Sequence, residues 1–240
     1  MGKVILVASG NGGSGKTTFA VNIAAFFAAQ GKSCLVLDLN IGLRNADIYM
    51  GLENSVIFDL GDVVTGVCGI EKAIVTNYLN PNLSLLSCPH NKEISGFGEG
   101  HVKALYSLLR GKFDYILVDA PAGLGTEFCS AASGADSAVI VLLPDFLSLR
   151  SADALDKRLE ALGVSKRCCI LNKVDQSSWG SEYIPGLEDV TRTLHCPLMG
   201  VVPYDQNIHI ANNSGESVLD ICDDFTRKMF VSIAESVAEM

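Results

Sequence analysis

Nine residues near the N-terminus, Gly10-Asn11-Gly12-Gly13-Ser14-Gly15-Lys16-Thr17-Thr18, restrict the folds open to this chain more than any other stretch. They follow an apolar run, Val4-Ile5-Leu6-Val7-Ala8, and lead into a helical pattern. A glycine-rich turn in that position brings successive backbone N–H groups onto one anion, because no Cβ obstructs the turn or the close approach. The spacing G-x-x-x-x-G-K-[ST] adds a cation for the β- and γ-phosphates, Lys16, and a hydroxyl placed to hold Mg²⁺, Thr17. The helix end contributes its positive pole at the same spot. All nine residues are therefore assigned to phosphate binding.

Apolar strand-like runs alternate with helical patterns along the whole chain, the mark of a mostly parallel sheet with helices on both faces. Strands are predicted at Lys3–Ser9, Ser33–Leu39, Leu83–Ser87, Tyr115–Asp119, Ser137–Leu143, Arg167–Asn172 and Leu198–Val202. Helices are predicted at Thr17–Gln30, Val56–Val64, Gly100–Leu109, Ser148–Leu162, Leu187–Leu194 and Asp223–Ala238. No linker-like or low-complexity segment divides the 240 residues, so the expectation is a single α/β domain in three layers.

Ligands in such sheets sit at the carboxyl ends of the strands. That rule gathers the phosphate loop, Asp38-Leu39-Asn40, Asp119-Ala120-Pro121-Ala122-Gly123 and Asn172-Lys173-Val174-Asp175 at one edge. A carboxylate at a buried strand's exit, Asp119, is suited to hold the water shell of Mg²⁺ beside Thr17. The turn that follows it reads as a switch element near the γ-phosphate.

These segments, with Ile41-Gly42-Leu43-Arg44-Asn45-Ala46-Asp47, Met50-Gly51-Leu52-Glu53-Asn54 and Val201-Val202-Pro203-Tyr204-Asp205-Gln206, resemble the MinD branch of the MinD/ParA P-loop ATPases over nearly the whole length. The resemblance implies a P-loop NTPase fold, ATP or ADP with Mg²⁺ as cofactor, and an ATP-dependent homodimer with two nucleotides facing each other across its interface. It also implies slow hydrolysis until a partner stimulates it, and a protein partner of the division-inhibitor or topological-regulator kind. By the same match, Asn172 and the Pro203 backbone region contact adenine, and Asp205 joins the cofactor-binding set.

Two positions depart from the family pattern. A second lysine that reaches the partner's phosphates is replaced by Asn11, and the second of two strand-end aspartates, which orients or activates the attacking water, is Asn40 beside a retained Asp38. An amide carries no charge and has no basic oxygen comparable to a carboxylate. Water activation and charge stabilisation are each worth ~10² or more in phosphoryl transfer. The expected activity is nucleotide binding with weak or absent hydrolysis; the alternative is an active ATPase that uses Asp38. The candidate catalytic set is Lys16, Asn11, Asp38 and Asn40.

The last predicted helix places Phe225, Met229, Ile233 and Val237 on one stripe, and its polar side mixes Arg227 and Lys228 with four acidic residues. That pattern suits core packing better than an anionic lipid surface, so no direct membrane anchor is expected. The partner-binding helix of the family corresponds to Ser148-Leu149-Arg150-Ser151-Ala152-Asp153, where Ser151 stands in place of an acidic residue and Ser148 is the expected N-cap. A net charge of −9, with no more than two adjacent basic residues, argues against nucleic acid as a partner. The eight cysteines show no C-x-x-C spacing and read as reduced core residues, which with the lack of a signal segment places the chain in the cytoplasm. His90, His101, His195 and His209 are scattered singly. A spatial regulator of cell division or of flagella, pili or chromosomes is preferred over a metal-insertion or metabolic P-loop enzyme, and over a DNA-partitioning ATPase.

Overall fold

The computed structural model describes residues 1–89, 97–175, 177 and 183–240; His90 lies outside them. In chain order the elements are β1 Lys3–Ala8, α1 Lys16–Ala29, β2 Cys34–Asp38, α2 Ala46–Tyr49, α3 Leu60–Val64, α4 Ile70–Ala73, β3 Ile74–Thr76, β4 Leu83–Leu86, α5 Glu99–Leu109 and β5 Tyr115–Asp119. They continue as α6 Thr126–Ala132, β6 Ser137–Leu142, α7 Phe146–Ala161, β7 Lys166–Val174, α8 Leu187–Thr193, β8 Leu198–Pro203, α9 Gln206–Ser214, α10 Val218–Ile221 and α11 Asp224–Ala238.

The strands form one sheet in the order β3-β4-β2-β5-β1-β6-β7-β8, parallel except for β3. Residues of one strand alternate between two cores. Val4, Leu6 and Ala8 face one layer with Ile116 and Val118, whereas Ile5 and Val7 face the other with Leu117 and Val36. Both faces are apolar because both are covered, which is why β1 and β5 read as unbroken apolar runs. Leu105 of α5, Phe128 of α6 and Leu149 of α7 cover the first face. Phe19 of α1 and Phe230 of α11 cover the second, their rings stacked with centroids 4.9 Å apart.

The seven predicted strands are present, and three-residue β3, too short to register as a strand pattern, is added at the edge. The helix predicted from Val56 starts only at Leu60, because Asp59 caps it. Its side chain accepts from Gly61 N at 2.8 Å, and the Asp62 side chain accepts from Asp59 N at 3.1 Å. Ser148 is not a cap: Asp145 accepts from Ser148 N at 2.7 Å, while Ser148 Oγ accepts from Leu143 N. The stripe on α11 is also rotated. Thr226, Phe230, Ile233, Ala234 and Val237 are buried and Phe225 is exposed. Spacings of three and four follow the 3.6-residue turn, whereas a strict spacing of four drifts off the core. Six of the eight free cysteines are buried, and Cys68 and Cys129 are half-buried.

Candidate functional site

Central strands β2, β5 and β1 end side by side, and their exits build a cavity of about 220 Å³ at the N-terminus of α1. Gly12, Gly13, Gly15, Lys16, Thr17 and Thr18 line one wall. Gly15 caps α1 in the left-handed region, at φ 101°, and a Cβ there would stand 2.4 Å from Asn172 Nδ2. Gly10 lies flush against α7, where a Cβ would meet the Ser151 side chain at 2.4 Å. A Cβ on Gly12 or Gly13 would meet nothing within 4 Å, and both residues line the cavity.

Lys16 is 7% exposed. Burial draws its pKa below the ordinary lysine value, opposed by the nearby Asp119 charge. Thr17 Oγ1 donates to Asp119 Oδ2 at 2.6 Å, while Asp119 Oδ1 is buried with no hydrogen-bond partner. Asp38 is the register partner of Asp119 on the neighbouring strand. Its Oδ1 accepts from Asn40 N at 2.8 Å, and its Oδ2 also lacks a hydrogen bond of ordinary geometry. Both pKa values are raised. Burial is the main cause in each; for Asp119 the Asp38 charge adds to it, and for Asp38 the backbones of Asn40 and Ala46 with the Cys88 thiol oppose it in part.

Two buried carboxyls with unpartnered oxygens, beside a hydroxyl and a lysine, fit a hard divalent cation carried in on a phosphate. Thr17 and Asp119 would hold Mg²⁺, directly or through its waters. Such an ion neutralises charge on β- and γ-phosphate oxygens when bound.

Asn40 borders the cavity, while Asn11 sits half-buried in the loop just before the lining residues; its carbonyl accepts from Ser9 Oγ. Asn172 is buried and donates to Ser14 O at 2.7 Å. Asp205 lines the same cavity, accepting from Asn207 N at 2.8 Å as the cap of α9 and from Thr226 Oγ1 at 2.9 Å. Pro203 lies outside the main cavity, in the depression next to it.

Several lining residues have no role assigned from the sequence. Lys173 Nζ donates to Gly13 O at 2.8 Å, and Asn212 Nδ2 donates to Thr18 Oγ1 at 3.0 Å. Tyr49 and Asn45 enter from α2 and its cap. Lys173 follows a strand-ending Asn, the one signal that could have drawn attention to it.

Residues 5–218 match the CobQ/CobB/MinD/ParA nucleotide binding domain. The chain belongs to that family. A septum site-determining protein MinD from Synechocystis is 36% identical over 219 residues, 91% of this chain and 82% of the relative. Among solved structures, the MinC:MinD cell division protein complex of Aquifex aeolicus aligns at 32% identity and a TM-score of 0.88, covering 99% of this chain and 96% of the other. MinD of Pyrococcus horikoshii, complexed with Mg-ADP, aligns at 26% identity and a TM-score of 0.88, again over 99% and 96%. Membership makes the chain a nucleotide-binding domain of the MinD/ParA kind, on the mostly parallel sheet that the alternation of strands and helices predicted. Among the described residues no helix is long and apolar enough to cross a membrane.

Proposed function

We propose that this protein is a MinD-type nucleotide switch. It holds ATP and Mg²⁺, engages a protein partner in that state to help place a division site or a related structure, and hydrolyses ATP weakly or not at all. The cavity wall carries the reading. Lys16, Thr17 and Asp119 keep the groups that grip a triphosphate and its metal, whereas Asn40 supplies an amide that can hold a water without accepting its proton. Asp38 is poorly placed as a base: it is fully buried and its Oδ1 is taken by Asn40 N. The competing reading, an active ATPase working through Asp38, draws on that residue's unpartnered Oδ2.

The Aquifex MinD seen in complex with MinC supports a protein partner, with exposed Arg150 on α7 as part of its docking surface. An ATP-dependent homodimer belongs to the same reading, with its crossed phosphate contact weakened by Asn11. So do a cytoplasmic address and the absence of a nucleic-acid partner.

Single-turnover release of radiolabelled phosphate tests hydrolysis. The unmodified chain should release little, and the combined Asn11→Lys and Asn40→Asp variant should release it ~10²-fold faster or more. Equal rates for the two proteins would favour the Asp38 route.

A further inference from the structure

The turn between β3 and β4 holds two large apolar side chains in water on a fixed backbone. Tyr78 is 74% exposed and Leu79 69%. Asn77, buried at the start of the turn, accepts through Oδ1 from Leu79 N at 2.8 Å and from Asn80 N at 3.1 Å, and donates through Nδ2 to Met50 O at 3.1 Å. At the other end Asn82 Nδ2 donates to Ala28 O at 3.3 Å. The turn is thus bonded to the end of α2 and to the last turn of α1, and the exposure of Tyr78 and Leu79 is built into it.

Both side chains line a second cavity, of about 360 Å³, with Val21 and Ala25 of α1, Glu216, and Asp220 of α10. The acidic stretch is pressed against the end of α2: a Cβ on Gly215 would stand 2.4 Å from Gly51 Cα. A cavity assembled from such close contacts needs little ordering when it is filled.

Its charge has one sign. Glu216 and Asp220 are exposed, neither enters an ion pair among the described residues, and no lysine, arginine or histidine lines the cavity. Arg227, which donates to Leu219 O at 2.7 Å, is paired with Asp224 at 3.1 Å. One chemistry answers both the apolar lining and the two carboxylates, a chain segment that sets arginine or lysine beside a large apolar side chain. A small cationic ligand could fill the cavity, but it would leave most of Tyr78 and Leu79 in water, whereas a peptide covers them.

We propose that this cavity docks a second protein through such a basic and apolar segment, with Leu79 as an anchor and with Glu216 and Asp220 facing its cation. The surface is separate from the one on α7, because α7 covers the opposite face of the sheet from α1. The proposal goes beyond the nucleotide-switch reading and does not depend on it.

Selection from a random peptide library on the full chain tests it, with counter-selection on a variant that combines Leu79→Ser, Glu216→Gln and Asp220→Asn. The recovered peptides should carry arginine or lysine beside a large apolar residue. A fluorescently labelled recovered peptide should bind about fivefold or more weakly to Leu79→Ser. Glu216→Gln with Asp220→Asn should also weaken it and remove most of the salt dependence of binding. All three side chains are exposed, so these variants should keep the Tm and ATP affinity of the unmodified chain, which separates lost docking from a lost fold. Recovery of no peptide, recovery of acidic or uncharged peptides, or equal affinity for the variants overturns the proposal. So does light scattering that finds a dimer of the unmodified chain lost in Leu79→Ser, since the face would then join two copies of this chain. ATP binding in any of these cases leaves the nucleotide-switch reading standing.

Discussion

Asp38 and Asp119 occupy paired positions at the exits of adjacent parallel strands, both completely buried and each with one carboxylate oxygen lacking a partner. Parallel pairing brings two carboxyls together in a site shielded from water, a cost that is offset by protonation or by a cation. The pair therefore makes the pH and metal dependence of this site predictable.

Burial and mutual repulsion move the pKa of Asp119 from 3.8 to about 7, and burial moves that of Asp38 from 3.8 to about 6. The folded chain holds protons in this window that the unfolded chain has released, so stability is lost as pH rises through the folded values, by at most about 1.4 kcal/mol per pH unit for each proton. Scanning calorimetry of the nucleotide-free protein should give a Tm at about pH 8 below that at about pH 5.5. Asp38→Asn should flatten the difference, since it removes one titrating group and a cause of the other's shift. A steeper dependence in the variant would contradict the assignment.

Thr17→Val removes the hydroxyl that bonds Asp119 and faces the metal position. The gain in ATP affinity produced by Mg²⁺ should fall by about tenfold or more, while binding in EDTA changes little. Titrations with and without the metal separate the two quantities.

Gly15→Ala forces a Cβ onto a backbone at φ 101° and to within 2.4 Å of Asn172 Nδ2. Backbone strain alone should cost about 1–3 kcal/mol in urea unfolding, with ATP affinity falling as the loop shifts. Adding Asn172→Ala should relieve the contact and leave the strain, so the double variant should recover only part of the stability.

Arg167 and Asp156 form a pair remote from the cavity, at 2.6 Å and with side chains only 8% and 1% exposed, and Asp156 also accepts from His195 N at 3.0 Å. Arg167→Ala leaves a buried carboxylate without its cation and should destabilise the chain by about 3–5 kcal/mol. Nucleotide affinity measured well below the melting temperature should be unchanged, which distinguishes a fold defect from a site defect.

Much of this site could be read from local pattern. The phosphate loop is contiguous, its glycines and lysine have defined spacing, and the apolar runs before Asp38 and Asp119 mark buried strands whose exits face ligands. Helix α9 was not legible, because Gln206 to Ser214 is largely polar with weak helix formers; its cap Asp205 and its contact through Asn212 with Thr18 hold it in place. Nor was the role of Lys173, whose reach to Gly13 depends on a bulge that no local preference announces.

The order of residues alone determined that a glycine-rich loop with a lysine and a following threonine at P-loop spacing sits between a buried strand and a helix, and that Asn11 and Asn40 bring amides to the loop and to the exit of β2. Those properties follow from side-chain chemistry at fixed short spacing. The three-dimensional structure decided that β2 lies beside β5, so that Asp38 meets Asp119, and that β7 ends against the loop, so that Asn172 and Lys173 latch onto it. Strand order is set by which buried faces pack together across long stretches of chain, and a free energy of that kind belongs to no single segment.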